Sequence, residues 1–180
     1  MRILLHICCG NCAIYPVKIL REQNHEISGY FFNPNIHPYL EFSKRLETTR
    51  QYATQVELTV VYEEEYRLEE FLASVAQIPE NRCESCYQSR LRATALQAKK
   101  QNFEGFTTTL LYSRYQKHQD IVDYGEQLAK ELGLHFHYED YRVGWNEGIR
   151  ISKEMGLYRQ QYCGCIYSEK DRYAPRKKPN

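Results

Sequence analysis

Short apolar runs alternate with longer amphipathic segments along most of the chain. The first apolar run, residues 3–7, has the length and composition of a buried strand, and residues 13–23 have the pattern of a helix. Further strands are predicted at 26–32, 57–61, 106–111 and 134–138, and further helices at 39–55, 64–75, 83–102 and 119–132. A short helix that reaches Met155 ends the predicted series.

This alternation predicts an α/β fold with a parallel sheet. We expect a Rossmann-like three-layer sandwich whose five strands lie in the order 3-2-1-4-5. Strands 1 and 4 are then neighbours, and ligands bind in such sheets at the carboxyl ends of the strands beside this switch point. A Gly-rich phosphate loop does not follow the first strand, because residues 8–12, Cys-Cys-Gly-Asn-Cys, occupy its place. Nucleotide binding is therefore weakly indicated.

The composition sets the size and the expected surroundings of the protein. A chain of 180 residues with 42% hydrophobic content can bury one core, so we expect a single domain over 1–180 with a basic tail at about 170–180. The net charge of +1 does not by itself indicate a nucleic-acid partner, and the tail is either solvated or in contact with phosphate. The first residues suit neither a signal peptide nor a membrane span, so we expect a cytoplasmic monomer.

The seven cysteines fall into three groups, Cys8-Cys9-x-x-Cys12, Cys83-x-x-Cys86 and Cys163-x-Cys165. The first group lies between a strand end and a helix N-terminus, where the helix dipole favours thiolate over thiol. The second pair shares one face of the first turn of a predicted helix. In a reducing compartment, such grouping favours metal binding or redox chemistry over structural disulfides.

The residues alone leave the chemistry of these thiols open. Four thiolates from Cys8, Cys9, Cys83 and Cys86 suit zinc or an iron-sulfur cluster equally well. The Cys163-Gly-Cys165 segment suits a dithiol that cycles to a disulfide, a second metal, or two structural ligands. Cys12 is either a spare thiol or a small buried apolar side chain. The surplus of cysteines over one tetrahedral site favours electron transfer.

Several longer motifs occur in order over nearly the whole chain. They are Leu5-His-Ile-Cys-Cys9, Phe32-Asn-Pro-Asn-Ile-His-Pro38, Arg82-Cys-x-x-Cys-Tyr-x-x-Arg-Leu91, Phe106-Thr-Thr-Thr-Leu-Leu111, Ser113-x-Tyr-Gln-x-His118 and Leu157-Tyr-Arg-Gln-x-Tyr-Cys-Gly-Cys165. With these motifs the chain resembles the QueH family, the epoxyqueuosine reductases that work without cobalamin. Asn11 departs from the resemblance, since proline is expected there.

The resemblance implies a fold like that of the adenine nucleotide alpha hydrolases, the HUP type. It implies a 4Fe-4S cluster beside a redox-active thiol pair or a second mononuclear iron, and a tRNA substrate with epoxyqueuosine at the wobble position. By the matching motifs, the cluster ligands are Cys8, Cys9, Cys83 and Cys86. Cys163 and Cys165 are the redox pair, although either set is able to hold a second metal. The electron donor is not identified.

Reduction of an epoxide to an alkene removes one oxygen and takes up two electrons and two protons. Iron-sulfur clusters pass electrons singly, so a dithiol or a second iron must store the other electron. A group beside the reacting oxygen must also supply a proton. The candidates are His118 and Tyr115, beyond the fourth strand, together with His6 and His37, although each is also a candidate for a structural hydrogen bond.

The other candidate site residues are polar or aromatic and lie close to the predicted crevice. They are expected to recognise the modified base, its cyclopentane diol or neighbouring phosphates, or to stack on splayed bases. They are Asn33, Asn35, Tyr87, Arg90, Ser113, Gln116, Arg142, Trp145 and Arg159. Two alternative functions remain at this level: a tRNA sulfurtransferase, which would need an ATP site, and a zinc-stabilised tRNA-binding module without catalysis.

Overall fold

A computed structural model describes residues 1–175 of the protein, and a parallel sheet of five strands lies at its centre. The strands are β1 (Arg2–His6), β2 (Glu26–Phe31), β3 (Val60–Tyr62), β4 (Gly105–Thr108) and β5 (His135–Phe136). Their order is β3-β2-β1-β4-β5, and every neighbouring pair is parallel. The predicted fold class and strand order are therefore confirmed.

Seven α-helices connect and flank the strands among the described residues. They are α1 (Gly10–Glu22), α2 (Tyr39–Gln55), α3 (Leu68–Val75), α4 (Arg82–Lys100), α5 (His118–Leu132), α6 (Trp145–Glu154) and α7 (Ile166–Tyr173). Short 3-10 turns at Thr109–Tyr112 and Tyr141–Gly144 follow β4 and β5. The last helix, α7, follows the third cysteine group and has no counterpart in the predicted elements.

The central strand β1 is covered on both faces, which explains its continuous apolar sequence. Ile3 and Leu5 pack with Val17 of α1 on one face of the sheet. Leu4 points to the other face, where it packs with Leu91 of α4 and Phe106 of β4. These contacts give the three layers that the sequence predicts, and they fix the end of β1 where the first cysteines begin.

Two boundaries near the site differ from the prediction. β4 ends at Thr108 rather than at residue 111, because the Thr108 hydroxyl accepts a hydrogen bond from the Leu110 backbone N–H at 3.1 Å and starts a 3-10 turn. α1 begins at Gly10, three residues before the predicted start. A Cβ atom at Gly10 would lie 2.6 Å from the Thr48 carbonyl oxygen of α2, so this early start depends on glycine.

The C-terminal tail is only partly described. Its first residues belong to α7, and residues 176–180 of the predicted basic tail lie outside the described residues. Within residues 1–175, no helix combines the length and apolar character needed to cross a bilayer.

Candidate metal centre

Three sulfur atoms meet between the end of β1 and the start of α1. The Sγ atoms of Cys8, Cys9 and Cys12 all lie within 4.8 Å of one another, with Cys9 and Cys12 separated by 3.0 Å. Cys9 directly precedes α1 in an extended conformation, and Cys12 lies in the first turn of the helix. We call these residues the cysteine trio. Cys12, whose role the sequence left open, is therefore a member of the site.

The trio favours one negative charge and resists further ones. Hydrogen bonds from Cys12 and Cys9 hold the pKa of the Cys8 thiol well below its usual value. The hydrogen bond to Cys8 raises the pKa of Cys12, and burial raises the pKa of Cys9. Because full ionisation requires a compensating cation among the sulfurs, the trio has the chemistry of a metal-thiolate site.

Hydrogen-bond donors surround the trio. The Gln160 side-chain amide donates to Cys9 Sγ at 3.0 Å and to Cys12 Sγ at 3.3 Å. The Thr109 hydroxyl donates to Cys8 Sγ at 3.3 Å and accepts from the Cys8 backbone N–H at 3.0 Å. Thiolates accept such bonds more strongly than thiols do, so these donors also favour the charged form of the sulfurs.

The four remaining cysteines form a second group beside the first turns of α4 and α7. Cys86 packs against the apolar cluster that contains Cys165 and Phe71. Burial, together with the charges of Cys163, Cys165 and Cys83, raises the pKa of Cys86 to about 12 against the lowering effect of Arg90. Burial and the charge of Cys163 likewise raise the pKa of Cys83. The second and third cysteine motifs are thus electrostatic neighbours.

A second glutamine, Gln116, is hydrogen-bonded to this group. The Gln116 amide donates to Cys163 Sγ at 3.2 Å, and the Tyr87 hydroxyl donates to Gln116 Oε1 at 2.8 Å. The Tyr87 oxygen in turn accepts the Lys117 backbone N–H at 3.1 Å. Tyr87 and Gln116, both predicted to bind substrate, therefore hold the exposed thiol of Cys163 in the structure.

Arg90 lies between the two sulfur groups. Its side chain is 2% exposed, its Nε donates to the Cys86 carbonyl oxygen at 3.2 Å, and one terminal nitrogen has no hydrogen-bond partner among the described residues. Burial disfavours its charge, but the charges of Cys86, Cys163 and Cys8 outweigh burial and raise the pKa of Arg90. The electrostatic partners of this buried cation include one cysteine from each of the three motifs, which indicates that the motifs lie in one region.

A second buried arginine anchors the Cys163 segment. Arg45 is 2% exposed and pairs with Glu41 at 2.7 Å, and its terminal nitrogens donate to the carbonyl oxygens of Cys163 and Tyr162 at 2.8 and 2.9 Å. Gly164 has a φ of +144°, and a Cβ atom there would lie 3.2 Å from Arg45. The glycine between the two cysteines is thus required by backbone conformation and by close packing.

The four candidates for proton transfer differ in accessibility. His6 is buried with both ring nitrogens bonded, to Thr108 and to the Phe32 carbonyl, and burial lowers its pKa to about 4. His37 is also buried, with a pKa of about 4. His118 is half-buried, and burial and Arg142 lower its pKa. Tyr115 is 84% exposed, at the rim above Trp145.

The predicted substrate-binding residues also separate into two sets. Asn33 is buried and donates to the Ile7 carbonyl oxygen at 2.9 Å, and Ser113 accepts the Tyr115 backbone N–H at 3.2 Å. Arg142 forms two bonds of 2.7 Å to Asp140. Asn35 is buried with its Oδ1 unpartnered among the described residues. Arg159 is exposed and has no salt bridge within residues 1–175.

The predicted ligand set is not assembled as one compact group. Cys8 and Cys9 associate with Cys12, and the trio is the single group of three metal-binding side chains within 4.8 Å in the described part of the chain. The assignment of Cys83 and Cys86 as further ligands therefore stays a prediction. Sequence reasoning missed Gln160, Arg45 and Thr109. Gln160 and Thr109 both lie within the family motifs, and membership of those motifs is the signal that could have found them.

The donor set fits a thiolate-bound metal. Three convergent sulfurs, amide and hydroxyl donors directed at them, and two buried arginines together match an anionic metal-thiolate centre. Burial opposes the charge on Arg45, but Cys9 and Glu41 raise its pKa. Fold and site thus define the class: a Rossmann-like α/β protein with a thiol-rich site, able to hold a metal, at the carboxyl end of its central strand.

Comparison with known proteins gives the particular family. The model of the family described as "Epoxyqueuosine reductase QueH" matches residues 3–171. The chain belongs to the QueH family. This confirms the resemblance drawn from its motifs.

Two relatives illustrate how far the similarity extends. The epoxyqueuosine reductase QueH of Dehalococcoides mccartyi is 41% identical over 179 residues, which cover 99% of this chain and 97% of the relative. That of Thermotoga maritima is 34% identical over 176 residues, with 92% and 89% covered. A solved structure of a predicted subunit of tRNA methyltransferase from Methanocaldococcus jannaschii has a TM-score of 0.57 at 12% identity, covering 86% of this chain and 75% of that chain. This likeness concerns the fold alone.

Proposed function

We propose that this protein reduces epoxyqueuosine in tRNA to queuosine, the last step of queuosine biosynthesis. The observation that carries the proposal is the approach of three distant cysteine motifs to one region: Gln160, three residues before Cys163, bonds to the trio, and Cys86 packs with Cys165. A colourless binding module would need only one structural site, whereas two neighbouring sulfur groups with separate amide donors suit transfer of two electrons. Its family relatives bear the name of this activity.

We assign the iron-sulfur centre to the cysteine trio, between the end of β1 and the start of α1. Cys8 and Cys9 belong both to the predicted ligand set and to the trio, and Cys12 adds a third sulfur beside them. Cys83 and Cys86 are the predicted ligands from the other side. A 4Fe-4S cluster held by these residues would supply electrons singly, at a potential set by the surrounding hydrogen bonds and burial.

Cys163 and Cys165 form the redox pair of this proposal. Oxidation of two thiols to a disulfide releases two electrons and two protons, and conversion of an epoxide to an alkene and water consumes the same number of each. The short spacing of the two cysteines on either side of Gly164 suits a thiol pair. The exposed Cys163 is the member that a substrate reaches first.

The thiols also supply the protons. Because burial and Arg142 lower the pKa of His118, its ring is neutral at pH 7 and is a weaker acid catalyst than an imidazolium. The Gln116 amide, held by Tyr87, stabilises Cys163 when it becomes a thiolate after giving up its proton. His118 and Tyr115 are then rim residues that orient the substrate.

Anaerobic reconstitution with iron and sulfide, followed by incubation with tRNA containing epoxyqueuosine and a chemical reductant, tests the proposal. Mass spectrometry of the nucleosides should show queuosine. Cys163→Ser should abolish turnover while keeping the brown colour, and Gln161→Leu, a change at an exposed neighbour, should leave turnover unchanged. A colourless protein, or full turnover by Cys163→Ser, would contradict it.

A further inference from the structure

Three side chains from distant parts of the chain form a hydrogen-bonded series that ends on the trio. The Ser152 hydroxyl of α6 donates to Asn11 Oδ1 at 2.7 Å. Asn11 Nδ2 then donates to Gln160 Oε1 at 2.9 Å. The Gln160 amide nitrogen donates to Cys9 Sγ at 3.0 Å and to Cys12 Sγ at 3.3 Å. We call this series the amide relay.

The relay fixes which end of the Gln160 amide faces the sulfurs. Because the Gln160 oxygen accepts from Asn11, its nitrogen must point toward Cys9 and Cys12. The orientation of Asn11 is fixed in the same way, since its oxygen accepts from Ser152 and its nitrogen also donates to the Tyr158 carbonyl at 2.5 Å. Ser152 is 1% exposed, so water does not compete for the first bond.

We infer that Gln160 tunes the metal centre proposed at the trio, and that Asn11 and Ser152 are positioning residues that hold Gln160 in its donating orientation. The inference rests on the proposed metal centre. An N–H donor withdraws electron density from a metal-bound thiolate, which stabilises the more reduced state and raises the reduction potential. The relay thus makes the centre easier to reduce.

The second glutamine shows why the orientation matters. Gln116 donates to one sulfur, Cys163, and is held through its oxygen by Tyr87. Both glutamines therefore have their oxygen bound by a donor and their nitrogen directed at sulfur. The same arrangement at two separate sulfur groups supports a role in controlling charge on sulfur.

Cobalt(II) bound to the reduced protein under anaerobic conditions provides the test. Loss of the amide donor raises the energy of the sulfur lone pairs, so Gln160→Leu should move the thiolate-to-cobalt charge-transfer band to longer wavelength. Asn11→Leu keeps the size of the side chain but removes the donor that holds the Gln160 oxygen, so the Gln160 amide loses its fixed direction toward the sulfurs. It should shift the band in the same direction. Gln161→Leu is the matched control, because the Gln161 amide donates to the Arg159 carbonyl and to no other group within residues 1–175.

Coupling between the variants separates tuning from a general loss of structure. Since Asn11 and Ser152 act through Gln160, neither Asn11→Leu nor Ser152→Ala should shift the band further in the Gln160→Leu background. Ser152→Ala alone removes only the outermost bond and should give a smaller shift in the same direction. In protein reconstituted with iron and sulfide, Gln160→Leu should make the midpoint potential more negative.

An unchanged charge-transfer band in Gln160→Leu, or shifts that simply add in the double variants, would overturn the inference. The cobalt spectrum requires neither tRNA nor turnover. A protein that shows the coupled shifts but does not convert epoxyqueuosine would contradict the proposed function and leave the relay in place.

Discussion

The cysteine trio and the Cys163 segment are both sulfur sites, but they are built in different ways. The trio lies within five residues of sequence, and the end of β1 and the start of α1 bring its sulfurs together. The Cys163 segment depends more on distant contacts, although the Gly164 N–H does donate to the Ser168 hydroxyl of α7 at 3.1 Å. Arg45 holds its carbonyl groups, and the Gly164 carbonyl oxygen accepts the His37 backbone N–H at 2.8 Å. Local geometry thus makes one site, and long-range contacts make the other.

The largest effect should come from breaking the Arg45 anchor. Arg45→Met leaves the buried Glu41 without its cation and the carbonyl groups of residues 162 and 163 without donors. We expect a loss of about 3–5 kcal/mol in the free energy of unfolding, measured by urea denaturation. The double variant Arg45→Met, Glu41→Leu should recover part of this loss. Equal stability of Arg45→Met and the unaltered protein would contradict the anchoring role.

A substitution at Gly164 tests the Cys163 segment with a smaller structural change than Arg45→Met. Gly164→Ala places a Cβ atom at a φ of +144° and 3.2 Å from Arg45, so we expect about 1–3 kcal/mol of destabilisation and a lower rate of turnover. The matched control is Gly133→Ala, where φ is +68° and nothing lies within 4 Å of the new atom. It should cost about 1 kcal/mol without affecting turnover. Identical effects of the two changes would show that the Cys163 segment tolerates movement.

The difference between local and long-range construction also explains how well the sequence predicts each of the two sulfur sites. Strand order and the position of Cys8 and Cys9 follow from local alternation and from the length of the first apolar run. Cys12 was ambiguous because α1 was expected to begin after it rather than before it. Arg45 lies within the helix predicted over residues 39–55, and nothing in its local sequence marks it as buried. Its partners at 162 and 163 lie far along the chain, and sequence periodicity does not report contacts of that kind.

Acid should weaken the contact between the Cys163 segment and the loop before α2. Burial lowers the pKa of His37 to about 4, below its ordinary value of 6.5, so the unfolded chain takes up a proton first as the pH falls. Stability should therefore fall between pH 6.5 and pH 4, by about 1–2 kcal/mol from this residue after allowance for relaxation, and level off below pH 4.

Comparison with His37→Gln isolates this contribution. The His37 ring is hydrogen-bonded to the Tyr66 hydroxyl at 3.2 Å, and this hydroxyl stays neutral between pH 6.5 and pH 4. The difference in unfolding free energy between the two proteins should depend on pH between 6.5 and 4. A constant difference would show that His37 does not titrate as expected.

The smallest expected effect concerns Arg159, an exposed residue that belongs to neither sulfur site. Arg142 is held by two bonds to Asp140, whereas Arg159 has no salt bridge within the described residues, so Arg159 is the better candidate for a phosphate contact. Arg159→Ala should raise KM for the tRNA about fivefold with kcat unchanged, and it should reduce the slope of log affinity against log salt by about 1. Arg142→Ala, the matched control, should change the slope little because its charge is already paired. If Arg142→Ala reduces the slope as much as Arg159→Ala does, then the ion pair with Asp140 opens when tRNA binds.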